Sequence, residues 1–362
     1  MKNFKNINNS VLADKNFLKE YTTKKFNELF NRSHFVSKLV LLIIFISIIL
    51  ILSKKPKKVG IISVRHEINI GNNLIKYAIS IKLKELGYCP YIIGTHFLDY
   101  NISFINQTTN LVIIHNNFNE IKKNDFDILM VNSDQTWRKF DENFYDYGFL
   151  KFAKKWKIKK IVYGASIGYD YWNFTEKEDK IMKALLNNFH GISIREEGSI
   201  KLIEKHLGIT PSLVLDPTLL IDKKYYLDII RNYKNKTNMK KKYIFIYSVL
   251  YSKEVLNLTQ TSKDILDLDS YYFELNNTNS IQDFIYYLVK SNAVIPNSYH
   301  GKTHAIERYN SITNIFGVKD RLFEYQQKVD IYQLTKPLNI NYEKLNQLKS
   351  RSIEFLIKSL KQ

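Results

Sequence analysis

The sequence predicts an α/β protein built on parallel, doubly wound sheets. Short apolar runs recur at 59–64, 91–94, 126–131, 161–163, 191–194, 213–215, 243–248, 270–273 and 293–295. Several of these runs end in a polar turn, and helically spaced apolar residues follow, as at 74–86, 174–189 and 280–289. Glycines close two such helices, Gly87 and Gly208. A strand followed by a helix, repeated, is the pattern of βαβ units, and hence of parallel strands with helices packed against them.

Taken in order, residues 1–35 are polar and rich in Lys and Asn, with a weak helical pattern (Phe17, Leu18, Tyr21, Phe26, Leu29, Phe30) that reads as a partly ordered tail. The run 39–53 contains no charged residue. It is about 15 residues long, roughly 22 Å of helix at ~1.5 Å per residue, against the ~20 residues of a usual bilayer span. Val36 and a snorkelling Lys38 extend it. It lies too far from Met1 and lacks the small-residue cleavage site of a signal peptide. The reading adopted is a membrane-anchor helix with a basic flank over 36–57, single-pass or monotopic; the competing reading is a buried helix or strand of the first domain. Lys54, Lys55, Lys57 and Lys58 follow directly and favour a cytoplasmic location for the C-terminal bulk.

Residues 58–232 read as one α/β domain and 243–335 as a second. The Lys/Asn-rich stretch 233–242 is the linker between them, and 336–362 is a helical segment with an amphipathic pattern from Tyr342 to Leu360. The 362-residue length suits two domains. The net charge of +19 suits anionic partners, but the basic residues are spread along the chain and no nucleic-acid-binding motif appears, so no nucleic acid is expected. One cysteine, Cys89, excludes an intrachain disulfide framework. The first loop has a single glycine, Gly71, and so lacks the dinucleotide fingerprint.

Chemistry-bearing residues gather where strands end, which is where α/β sheets bind ligands. Asn69 and Asn72 follow the first strand and are either ligand contacts or turn residues. After 126–131 come Ser133, Asp134, Gln135 and Trp137; Asp134 is a site carboxylate or a helix cap. Ser166 stands between Gly164 and Gly168 and reads as exposed at a loop tip. Arg195 ends another strand, where its planar fork suits a carboxylate or phosphate; its rival reading is an ion pair with Glu196 or Glu197. Asp216, before Pro217, reads as a turn residue. Ser298, His300 and Gly301 lie between the strand at 293–295 and a helical pattern from Lys302, a strand–turn–helix unit that suits an anion. His300, His304 and Glu307 share one side at near-helical spacing, but no further ligand accompanies them, and no metal is expected.

In order and spacing, Gly71-Asn72 with Leu74, Ser133-Asp134-Gln135 with Trp137, Ala165-Ser166 with Gly168, Ile192-Ser193 with Arg195-Glu196 and Ser199, Leu215-Asp216-Pro217-Thr218 and Ser298-Tyr299-His300-Gly301 resemble the polysaccharide pyruvyl transferase family over roughly 58–320. Asn297 stands where the family often has Asp before the last motif, and Asn132 where it often has Gly before Ser-Asp-Gln. The resemblance implies two facing Rossmann-like domains in the glycosyltransferase-B arrangement; the segment before residue 58, with the N-terminal hydrophobic helix read from the run 39–53, is not part of the family's usual domain. It implies transfer of a pyruvyl group from phosphoenolpyruvate to a sugar of a cell-surface or lipid-linked glycan, with no cofactor beyond that donor substrate. Such chemistry gives His300, Asp134 and Arg195 catalytic roles: His300 as acid or base, Asp134 orienting or deprotonating the acceptor, Arg195 on the donor carboxylate. Asn72, Ser133, Gln135, Ser166, Ser298 and Gly301 are the substrate-binding candidates. Two alternatives stay open: a glycosyltransferase with a nucleotide-sugar donor, and a non-catalytic, membrane-attached glycan-binding protein of the same fold.

Overall fold

The structure is a computed structural model, and it describes residues 5–31, 35–53, 55–63, 70–95, 110–114, 117–132, 134–139, 143–234, 242–248, 253–273, 280–297, 313–314, 316 and 340–361. Met1–Lys57 and Lys58–Gln362 are two compact units.

The first unit is a pair of helices, α1 (Lys5–Asn31) and α2 (Phe35–Ser53). The expected partly ordered tail is instead one helix of 27 residues. Its weak apolar stripe finds a partner in α2: Phe26 stacks on Phe45 with centroids 4.2 Å apart, and the Lys38 ammonium lies 5.3 Å from the Phe30 ring centre. Packing of this kind, more than propensity, stabilises helices in proteins. On α2, Val40, Leu42, Ile43, Ile44 and Ile46 are exposed. Among the described residues no helix is long and apolar enough to cross a membrane. The side chains of residues 35, 36, 39 and 50–53 lie outside the described set, so the spanning helix expected over 39–53 is not carried by it.

Lys58–Gln362 carries two parallel sheets. The larger contains β1 (Lys58–Ile62), β2 (Cys89–Thr95), β3 (Asn110–Ile114), β4 (Ile128–Val131), β5 (Lys159–Ala165), β6 (Gly191–Ile194) and β7 (Ser212–Leu213), in the spatial order β3-β2-β1-β4-β5-β6-β7. All its pairings are parallel, with Ile61 flanked by Ile92 and Met130. The strands read as unbroken apolar runs because both faces are covered. Val59, Ile61, Met130 and Tyr163 pack into one core; Ile62, Leu129, Val131 and Val162 pack into another. Strand order reverses between β1 and β4, and at such a switch point ligands bind outside the carboxyl ends of the strands.

Helices α3 (Ile70–Glu85), α4 (Phe144–Phe149), α5 (Glu176–Leu186), α6 (Gly198–Leu207) and α7 (Lys223–Ile229) accompany this sheet. Of the polar turn expected at 69–73, residues 70–73 are already helix and Asn69 lies outside the described residues: α3 begins at Ile70, which is buried, and Asn72 and Asn73 sit buried in its first turn. The apolar stripe that fixes the helix starts at Ile70, one turn before Leu74.

In the smaller sheet, β8 (Tyr243–Ser248), β9 (Asp269–Phe273) and β10 (Ala293–Asn297) lie in the order β10-β8-β9, with α8 (Lys253–Leu266) and α9 (Ile281–Lys290). The helix expected at 252–259 continues to Leu266, because its buried side passes through Thr259 and Ser262, which carry little apolar signal. At the start of α9 Ser280 and Asp283 form a reciprocal capping box. Helix α10 (Tyr342–Lys361) returns to the larger sheet and buries Leu356 and Leu360 in the core that holds Met130 and Tyr163; Phe245, Phe273 and Phe284 of the smaller-sheet region belong to the same core. Most of the expected linker, 235–241, lies outside the described residues.

Candidate active site at the carboxyl ends of the parallel strands

The loops after β4, β5, β6 and β7 are tied to one another by named bonds. Strand β5 slips register against β6 between Val162 and Ala165. Gly164 has φ +61°, a conformation that favours glycine, and donates its N–H to Ser193 Oγ at 3.0 Å; Ser193 in turn donates to the Val162 carbonyl. Asn132 Nδ2 donates to the Tyr163 carbonyl at this bulge, at 2.8 Å. The Asn that replaces the family's frequent Gly is therefore a brace between two strand ends. The Trp137 N–H bonds the Ser166 carbonyl and its indole N–H bonds the Gly148 carbonyl, both at 3.0 Å.

Asp134 is held twice. Its backbone N–H donates to Asn72 Oδ1 on α3 at 3.2 Å, and its carboxylate pairs with Arg195 Nη2. Arg195 reaches two further carboxylates: Nε bonds Glu196 Oε1 at 3.1 Å and Nη1 bonds Asp216 Oδ2 at 2.6 Å. Asp216 also accepts the Thr218 N–H at 3.0 Å and hydroxyl at 2.7 Å, which caps the short 3-10 turn Pro217–Leu219. Leu215, just before it, donates its N–H to Ser352 Oγ of α10 at 2.9 Å and accepts the Tyr163 hydroxyl at 3.1 Å. Burial alone would lower the pKa of Arg195, but Asp134, Glu196 and Asp216 raise it well above the ordinary value, so the guanidinium stays charged. Removing one member of such a buried pair costs about 3–5 kcal/mol.

Among the described residues the arrangement gathers one cation and three carboxylates. Arg195 and Glu196 side chains are 9% and 4% exposed, whereas Asp134 and Asp216 are 22% and 24% exposed. The two aspartates are thus the more accessible members of the cluster. Chemically, a carboxylate so fixed can orient a hydroxyl and accept its proton, and a donor carboxylate would have to displace one of three present partners to reach the guanidinium.

Of the residues expected to form a site, the structure brings Asn72, Asp134 and Arg195 together. Gln135 is buried with φ +46°, and its Oε1 accepts from Arg138 Nη1 at 2.8 Å. Ser166 is fully buried and not exposed at a tip as expected, and its hydroxyl has no partner among the described residues. The bulge at Gly164 accounts for the difference, since one extra residue exchanges inward and outward faces. Ser133, Ser298, His300 and Gly301 lie outside the described residues. Asp216, expected only to shape a turn, is a full member of the cluster. The signal that points to it is its place at a strand end, shared with Asp134 and Arg195.

Charged and amide side chains gather at the ends of parallel strands, near a reversal of strand order, which is where doubly wound α/β proteins bind ligands. A family model, "Polysaccharide pyruvyl transferase", matches residues 69–301, more than half of the chain. The chain belongs to the polysaccharide pyruvyl transferase family and is a transferase. No curated protein matches it. Among solved structures it is similar to a Listeria monocytogenes protein assigned as a UDP-N-acetylglucosamine 2-epimerase (14% identity, 82% of this chain and 91% of that one, TM-score 0.45). It is also similar to a glycosyltransferase from Rickettsia africae (12% identity, 84% and 94%, TM-score 0.37).

Proposed function

We propose that this chain moves a pyruvyl group from phosphoenolpyruvate to two hydroxyls of one sugar in a cell-surface or lipid-linked glycan, leaving a cyclic ketal and free phosphate. The observation that carries the reading is the family match across 69–301, which contains Asp134 fixed between Asn72 and Arg195. The reaction adds a proton to C3 of the donor, which makes C2 an oxocarbenium-like centre. One sugar hydroxyl adds to C2 and loses its proton; the bond from C2 to the phosphate oxygen breaks; the second hydroxyl then closes the ring, and its proton leaves with phosphate. Asp134 takes the hydroxyl proton in this scheme. His300 is the acid at C3, imidazole being the side chain whose ordinary pKa lies nearest neutrality. Ser298 and the turn to Gly301, followed by the helical pattern, suit the phosphate. Asn72, Ser133, Gln135 and Ser166 line or brace the acceptor side. No cofactor is required beyond the donor substrate.

In this reading, 58–232 and 243–335 are the two halves of a glycosyltransferase-B arrangement joined by 233–242. The basic, apolar N-terminal unit attaches the enzyme to a membrane, where tethering raises the local concentration of a lipid-linked acceptor. The exposed Val40, Ile43, Ile44 and Ile46 on α2 support attachment. A cytoplasmic catalytic face follows from the donor, a cytosolic metabolite.

Thermal-shift titration of the full chain tests the donor. A ligand that binds the native state raises its stability by mass action. Phosphoenolpyruvate is expected to give a saturable shift and nucleotide sugars none, and His300→Ala is expected to abolish transfer while the protein stays folded. A shift with a nucleotide sugar alone would replace the reading with glycosyl transfer.

A further inference from the structure

We propose that Arg195 is a positioning residue for Asp134 and not a ligand of the donor carboxylate, with Asp216 and Glu196 as the anchors that aim it. The role in catalysis rests on the pyruvyl-transfer reading; the positioning itself rests on geometry alone. Each of the three guanidinium nitrogens already engages a different carboxylate. Those carboxylates come from three places: the turn after β4, the turn after β6, and the end of the segment after β7. The Arg195 side chain is 9% exposed, against 22% and 24% for Asp134 and Asp216. Among the described residues the cluster holds three carboxylates and one cation, and the two aspartates are its more exposed members. Like charges so placed oppose a phosphorylated carboxylic acid.

The same geometry is well made for holding a base. Asn72 fixes the Asp134 backbone and Arg195 fixes its carboxylate. Arg195 is steadied in turn by Asp216, whose other oxygen is locked by Thr218. Leu215, the residue before Asp216, is clamped on its N–H by Ser352 and on its carbonyl by Tyr163. A chain of fixed groups thus runs from α10 and β5 through Leu215, Asp216 and Arg195 to Asp134. Supporting shells of this kind are what hold a reacting group in productive geometry.

Two readouts on the full chain test this: the affinity for phosphoenolpyruvate by calorimetry, and the titration of the Asp134 carboxylate by carbon-13 NMR. Among the described residues, the charged groups bonded into the cluster with Asp134 are Arg195, Glu196 and Asp216, with neutral Asn72 on the α3 side. In Arg195→Met the Asp134 midpoint is expected to rise by about one pH unit or more, because a cation is removed from a carboxylate. Donor affinity is expected to change less than about threefold. Arg195→Lys keeps a positive charge but loses the fork, and serves if the Met variant does not fold. It is expected to raise the midpoint by a smaller amount, again with donor affinity kept. Asp216→Asn is expected to leave donor affinity within the same limit. A tenfold loss of donor affinity in Arg195→Lys, or an unmoved Asp134 midpoint in both Arg195 variants, overturns the proposal. If the wild-type protein binds no phosphoenolpyruvate, the pyruvyl-transfer reading fails, while the Asp134 titration still decides whether Arg195 positions it.

Discussion

Leu215 donates its backbone N–H to the Ser352 hydroxyl at 2.9 Å, across 137 residues of sequence. The bond ties helix α10 to the segment that leads into Asp216. Ser352→Ala leaves that buried N–H without its acceptor, a loss of about 1–3 kcal/mol. Urea unfolding monitored by circular dichroism measures it; a change below about 0.5 kcal/mol would show that the bond contributes nothing.

Gly191, the first residue of β6, lies under α10. A Cβ there would stand 2.7 Å from Ser359 Cβ and 3.2 Å from Phe355 Cζ. Gly191→Ala forces the helix outward and is expected to destabilise by about 1–3 kcal/mol, the usual range for overpacking. Ser359→Gly in the same chain removes the main obstacle and is expected to recover part of the loss. Equal stability of the single and double variants would place the strain elsewhere.

Glu178 closes the capping box of α5 on Thr175 and pairs with Lys139 at 2.6 Å. The Lys139 hydrogen bond, then the Thr175 N–H, hold its carboxyl below the usual range. Stability from this group is therefore complete above the ordinary glutamate pKa of ~4.3 and is lost as pH falls through the lower folded value. Glu178→Gln retains a residue suited to the box but not the charge. Its melting temperature is expected to fall near pH 7 and to converge on that of wild type in acid. Parallel profiles would contradict the assignment.

Asp134→Asn preserves shape and removes the proposed base. Turnover with a glycan acceptor is expected to drop by about 10²–10⁴-fold, the range typical of a lost acid or base, while phosphoenolpyruvate still binds. Phosphate release and calorimetry on the same preparation separate the two effects.

For the N-terminal unit, the expected behaviour is co-sedimentation of the full chain with vesicles containing about one third anionic lipid. Exposed Ile43 and Ile46 are the residues to change. Ile43→Asp with Ile46→Asp is expected to release the protein, since charge at an apolar contact opposes burial in lipid. Retained sedimentation would assign binding to the lysines alone.

Much of the sheet is legible in the sequence because its strands are buried on both faces. All four residues of β4, Ile128–Val131, are buried and apolar, so the strand stands out as an unbroken run. Arg195 is legible as a strand-end cation because it directly follows Ile192-Ser193-Ile194, where a charge marks the point at which the chain leaves the sheet. Its partnership with Asp216 is not legible, because the two are 21 residues apart and meet through the pairing of β6 with β7. Ser166 is misplaced by the pattern for a local reason, the bulge at Gly164, whose only trace in the sequence is the glycine within the apolar run. The start of α3 is hidden because Asn72 and Asn73 are poor helix formers whose burial is decided by packing.

The return of α10 to the larger sheet has a consequence for how the protein is made. Ribosomes add about 5–20 residues per second, so the 137 residues between Leu215 and Ser352 take on the order of ten seconds to appear. Throughout that interval all seven strands have been synthesised, yet the surface that receives Leu356 and Leu360 is uncovered. The nascent chain then displays an apolar patch beside an unfinished carboxylate cluster. Until α10 emerges, that patch faces water, and a chain shortened before Tyr342 keeps it uncovered.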